Sequence, residues 1–229
     1  MLGYQMPDSW EEEQEMHWRA EQERQLDKHE GRNQPKSLSR RAEVGKLDWI
    51  VDQLLAKGAT LLLAAEKGSG KTALVMRLAQ AVAAGSMFLS QLPTRQGKVL
   101  LIQCDEPEQD TMRKAHLMDF PDDLIDVIWF EGTLDLDWLQ DELNSGQYIL
   151  IIIDSATNGL TTENCEVTDT GFTRKLYKIC KMISKNKSAC LITSHLRKPI
   201  DGKERFSVAD HDIAGLYTIG NAITDVWGL

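Results

Sequence analysis

The run Ala65-Glu66-Lys67-Gly68-Ser69-Gly70-Lys71-Thr72 combines two glycines, a lysine and a hydroxyl at a spacing that suits one kind of chemistry. Glycines at 68 and 70 let the backbone curl tightly, so that successive N–H groups converge on an anion. A helix opening at Lys71 adds its own unpaired N–H groups and the positive end of its dipole. Lys71 can then reach the β- and γ-phosphates of a nucleotide, and the Thr72 hydroxyl can ligate Mg²⁺. The run is the pattern G-x-x-x-x-G-K-[ST] with Ala65 in place of the first glycine, at a strand end where a Cβ is tolerated. The expected ligands are therefore ATP and Mg²⁺, with residues 65–72 as the phosphate cradle.

Asp154 closes the apolar run Tyr148–Ile153. A carboxylate at the tip of a buried strand must find compensation for its charge. Beside a phosphate-binding loop it completes the magnesium site with Thr72. Ser155 follows it, so the group that activates water must come from elsewhere. Asp105 and Glu106, just beyond the run KVLLIQC, are the two candidates. Asp105 lies first beyond the strand and Glu106 reaches farther. At least one of them begins the next helix, where an acid suits the dipole. A third constellation, Thr193-Ser194-His195-Leu196-Arg197-Lys198, ends a strand expected beside Asp154. His195 suits a sensor of the γ-phosphate. Arg197 or Lys198 suits a finger into a neighbouring subunit's nucleotide, with solvated surface or DNA contact as the alternative.

These residues need strands and helices to hold them. Thr60–Ala65 is continuously apolar, as a strand buried on both faces should be. Leu74, Met76, Leu78 and Val82 give Thr72–Ala84 helical periodicity, stopped by Gly85. Lys98–Cys104, Val127–Phe130, Tyr148–Ile153 and Ala189–Thr193 read as further strands, and Asp225–Leu229 as a short last one. A polar helix opens at Pro107, an amphipathic one covers Leu134–Leu143, and Phe172, Leu176, Ile179 and Ile183 mark a third. A final helix is expected near Asp212–Ala222. Alternating strands and helices predict an α/β domain with a mainly parallel sheet flanked by helices.

Residues 1–44 differ from the α/β texture of residues 45–229, the expected ATPase domain. Met6–Arg41 is rich in Glu, Gln and Arg, and Asp8 or Ser9 can cap a helix ended by Gly31. It lacks an apolar stripe wide enough for a core, so an N-terminal helical or disordered extension is expected, joined by the polar linker GRNQPKSLSRR. No apolar run reaches the ~18 residues of a membrane span, and the N-terminus has neither the basic nor the apolar part of a signal peptide. Cys104, Cys165, Cys180 and Cys190 lack zinc-ligand spacing, so free thiols in a reducing cytoplasm are expected. Net charge is −9 over 229 residues. That argues against a surface coated in nucleic-acid contacts, yet residues 174–205 hold ten bases against two acids. Such a local basic stretch can engage a polyanion, or serve as a solvated helix face.

Taken together these blocks resemble the AAA_25 or RepA-type branch of RecA-fold ATPases over about residues 46–229. The likeness rests on Leu47-Asp48-Trp49-Ile50-Val51-Asp52, Gly58, LLLAAEKGSGKT, AAGSMFLSQLPTRQGKVLLIQCDEP, Asp154-Ser155 and Ser194-His195-Leu196-Arg197-Lys198. It implies a RecA-like P-loop core, a homo-oligomer forming a hexameric ring, and a replicative DNA helicase acting with other replication proteins. It also implies that an acid after the strand following the first helix polarises the attacking water. This chain has Asp105-Glu106-Pro107 where such relatives often have Glu-Asp-Pro, which leaves both acids open as the base. It has Ala214-Gly215-Leu216 where they tend towards Arg-Gly-Ser, and it ends soon after Val226-Trp227 where they usually continue. Single-stranded DNA would meet the loop Pro199–Ala209 through Lys203 and Arg205 on phosphates and Phe206 on bases, unless that loop is an ordinary excursion. The alternative function is a regulatory, loading or assembly ATPase that does not unwind DNA.

Overall fold

In the computed structural model, residues 47–120, 123–130, 132–162, 170–196 and 223–228 are described. The N-terminal extension, the linker, Cys165 and the helix expected near Asp212–Ala222 lie outside them. In chain order the strands are β1 (Trp49–Val51), β2 (Leu55–Ala56), β3 (Thr60–Ala65), β4 (Met87–Phe88), β5 (Leu92–Pro93), β6 (Lys98–Gln103), β7 (Ile125–Trp129), β8 (Tyr148–Asp154), β9 (Ala189–His195) and β10 (Asp225–Gly228). The helices are α1 (Lys71–Ala84), α2 (Glu108–Leu117), α3 (Leu136–Ser145), α4 (Ala156–Leu160) and α5 (Thr170–Asn186).

Six of the strands form one all-parallel sheet in the order β10-β3-β9-β8-β6-β7. Its four central strands, β3, β9, β8 and β6, read as largely apolar runs because both faces are covered. Successive side chains point to opposite faces, so each run feeds two cores. Leu62, Ala64, Leu100, Ile102, Ile151, Ile153 and Ile192 pack on one side with Leu139, Phe172, Leu176, Ile179 and Ile183 from α3 and α5. Leu61, Leu63, Val99, Leu101, Leu150, Ile152 and Leu191 pack on the other with Val75, Met76, Leu78 and Val82 from α1. The expected helical face of α5 is thus the buried one.

Boundaries shift where local chemistry overrides periodicity. Helix α3 starts at Leu136 because the Asp135 side chain accepts hydrogen bonds from the Asp137 and Trp138 N–H groups. Gly85, left-handed at φ 63°, ends α1 where the sequence places the stop. The hairpins β1–β2 and β4–β5 are additions to the sequence reading, and strands of two or three residues carry no readable period.

Strand order sets the site. β8 and β9 lie between β3 and β6, so the carboxyl ends of four adjacent strands carry Ala65, His195, Asp154 and Gln103. Ala65 is in register with His195, and Gln103 with Asp154. In open parallel sheets that edge is where ligands bind.

Candidate active site

The chain leaves β3 at Ala65, loops through Glu66–Gly70 and enters α1. Gly68 and Gly70 have φ of 83° and 90°, and a Cβ added at either would meet nothing within 4 Å. Glycine is needed here for its left-handed backbone, not for space. Gly70 caps α1 without a side-chain hydrogen bond, and the first turn holds no acid. The helix's orphan N–H groups and positive dipole end therefore open onto the loop. Ser69 braces the turn, its hydroxyl donating to the Glu66 carbonyl at 2.8 Å.

Lys71 is 6% exposed, and its ammonium donates to the carbonyls of Ala65 and Glu66, both at 2.9 Å. Burial lowers its pKa, against the opposing pull of Asp154 and Asp105. Asp154 is 1% exposed, so its carboxylate must be met by donors. Thr72 donates to Oδ2 at 2.7 Å, Thr193 donates to Oδ1, and the Gln103 amide lies 3.5 Å from Oδ2. One hydroxyl and one fixed carboxylate at the mouth of an anion cradle are the hard oxygen donors that Mg²⁺ takes. The residues fit that ion. Thr193→Val keeps the shape but leaves Oδ1 without its donor. About a 10-fold rise in the Mg²⁺ concentration that half-saturates ATP hydrolysis is expected, with Thr193→Ser restoring it.

Asp105 stands one strand farther along the same edge. His195 Nε2 lies 3.0 Å from its Oδ2, the Asn158 amide donates to Oδ1, and its own N–H donates to the Gln103 side chain at 3.2 Å. Burial pushes the Asp105 carboxyl up. The hydrogen bond and charge of His195, with Ser155 and the Lys71 ammonium, outweigh that and hold it below the usual carboxylate range. Glu106 is engaged instead by the Lys114 ammonium from α2. The Cys104 thiol is pushed up to about 12 by burial, helped by the Asp105 and Asp154 charges, so it is no nucleophile.

Phosphate-loop residues, Asp105, Glu106, Lys114, Asn158 and His195 line one cleft of about 980 Å³, at the upper end of the ~300–1,000 Å³ usual for small-ligand sites. A family model of AAA domains, AAA_25, matches residues 34–201. The chain belongs to this AAA-domain family. The AAA-domain match and the cleft together make it a RecA-fold P-loop ATPase. Among solved structures the chain resembles a DnaB-like replicative helicase, described with its interactions with primase, at 12% identity and a TM-score of 0.56. That match covers 74% of this chain and 46% of the helicase, so the chain spans under half of that relative. It also resembles a second solved structure, described as an ATPase domain, at 14% identity and a TM-score of 0.55, over 76% of this chain and 70% of that one. These likenesses show the RecA-like fold. Curated proteins gave no match.

The structure of the AAA domain gathers Lys71, Thr72, Asp105, Glu106, Asp154 and His195 at one rim. Glu66, Lys67 and the two glycines form its lip, Ser69 braces the loop, and Ala65 ends the strand beneath. His195 meets the Asp105 carboxylate. Arg197, Lys198, Lys203, Arg205 and Phe206 lie outside the described residues. Gln103, Asn158 and Lys114 escape sequence reasoning, because an amide inside a strand or a lysine on a polar helix carries no spacing signal.

Proposed function

We propose that this AAA domain, residues 45–229, hydrolyses Mg²⁺-ATP as the motor of an oligomeric ring, most closely a helicase of the replicative type acting on single-stranded DNA. The observation that carries the hydrolytic part is the convergence of Asp154, Asp105 and His195, from three strand ends, on the rim of the phosphate loop. Thr72 and Asp154 would hold a Mg²⁺ ion, which would supply charge neutralisation to the bound phosphates. Lys71, swung from the loop carbonyls onto the phosphates, neutralises the charge that grows on the leaving oxygen. Of the two acids, Asp105 is the base. Its carboxylate is held ionised by donors at both oxygens, whereas Glu106, which lines the same cleft, is ion-paired to Lys114 through one oxygen. A water held by Asp105 attacks the γ-phosphorus in line. The new O–P bond forms as the bond to the β-phosphate oxygen breaks, ADP leaves, and the proton passes to Asp105.

The motor part draws on the family, on the helicase likeness and on the basic stretch 174–205. Arg197 or Lys198 would complete a neighbour's site, Lys203, Arg205 and Phe206 would hold the strand, and other replication proteins such as a primase would dock on the ring. No described helix is long and apolar enough to cross a membrane. Fluorescence anisotropy with a labelled oligonucleotide in the ATP-bound state tests the DNA reading. Binding should weaken steeply with salt, and Phe206→Ala should weaken it by about 1–3 kcal/mol. No binding at low salt would favour a loader, regulator or assembly ATPase, a reading to which the net charge of −9 also lends weight.

A further inference from the structure

Asn158 lies in α4, the five-residue helix that follows Asp154, with its side chain exposed to the nucleotide cleft. Its side-chain nitrogen bonds Asp105 Oδ1 while His195 takes Oδ2. A carboxylate only accepts, so the amide's NH₂ group is the one that faces it. α4 can approach this closely because of Gly159. A Cβ there would come within 2.8 Å of the Cys104 sulfur, on the residue next to Asp105. The Gly159 carbonyl in turn accepts from the Leu134 N–H at 2.7 Å, and Ala156 and Leu160 are buried, so the helix is anchored on both sides of Asn158.

We propose that Asn158 is a positioning residue of the hydrolytic site: with His195 it clamps the Asp105 carboxylate in the orientation that receives the attacking water. This rests on the reading of Asp105 as the base. Each carboxylate oxygen offers two acceptor directions, so an Asp105 held at both oxygens still has a free lone pair for water. An aspartate has only two side-chain torsions, and the clamp fixes them before nucleotide arrives. The amide donates with the same charge at every pH.

The test uses the full chain, with single-turnover ATP hydrolysis and equilibrium binding of a fluorescent ADP analogue. Asn158→Ala should lower the hydrolytic rate about 10- to 100-fold while KM and analogue affinity stay within about twofold. Asn158→Asp, equal in shape but setting carboxylate against carboxylate, should lower it further. In an Asp105→Asn background, Asn158→Ala should add nothing, because the group it positions is already gone. Because Asn158 is exposed, thermal midpoints should be unchanged, which a merely structural role would not give. A rate within twofold of the parent for Asn158→Ala overturns the inference and leaves Asp105 as the base if Asp105→Asn is slow. Equal losses of rate and analogue affinity would make Asn158 a nucleotide contact and also overturn it. An Asp105→Asn protein with full turnover removes the underlying reading, and the inference with it.

Discussion

Lys71→Ala is expected to lower ATP turnover about 10³-fold or more, beyond the loss seen when one donor to a developing oxyanion is removed. Two things fail together in this variant. The cleft loses a buried cation, which balances Asp154 and Asp105 across the floor of the site. The carbonyls of Ala65 and Glu66 lose the ammonium that ties them at 2.9 Å, so the loop also loses a brace. Lys71→Arg should not rescue the rate, because a planar fork replaces a compact point charge in a space shaped by the loop. Phosphate release and fluorescent-nucleotide binding, measured on the same preparations, separate the two losses. Turnover within tenfold of the parent in Lys71→Ala would remove the phosphate loop from the mechanism.

Asp105→Asn is expected to lower the hydrolytic rate by about 10²- to 10⁴-fold, the range a positioned general base supplies, with nucleotide affinity within a few fold. Glu106→Gln should cost far less, because its carboxylate is bound to Lys114. The pair of variants decides between the acids that the sequence alone leaves open. Asp105 also sets a pH dependence. Its pKa is depressed in the folded chain, so the base stays ionised through the ordinary carboxylate range. The stability contributed by its partners is present above the unfolded pKa and is lost as pH falls through the lower folded one. The acid limb of the rate profile attributable to Asp105 should therefore lie below the usual aspartate range. In Asn158→Ala that limb should move towards higher pH, since a donor to the ionised form has been removed.

The roles legible in the sequence are those set by residue type at a fixed spacing. Gly68, Gly70, Lys71 and Thr72 announce phosphate binding because left-handed backbone, point charge and hydroxyl are needed in that order. Asp154 announces itself as the one charge on an otherwise apolar strand. The two-sided strands and the α5 face follow from periodicity, and strand order brings them together. What escaped is what depends on neighbours across the sheet. The sequence places β9 beside Asp154, but that Thr193 is the residue bracing the carboxylate, and that Gln103 links Asp154 to Asp105, follows only from the register across β9, β8 and β6. Asn158 reaches Asp105 only because Gly159 permits α4 to approach Cys104, a contact no spacing rule encodes. His195 could be assigned to the site from its strand end, whereas its partner could not: a γ-phosphate sensor and an Asp105 ligand occupy the same place in sequence.

The most direct measurement is steady-state ATP hydrolysis by the full chain in Mg²⁺, with and without single-stranded DNA, at low salt and over protein concentrations that span assembly. Turnover should rise with protein concentration, increase several-fold with DNA, lose that stimulation as salt is raised, and be abolished in Lys71→Ala. Turnover that ignores DNA at every concentration would contradict the motor on single-stranded DNA. No turnover at all would contradict the hydrolytic site itself.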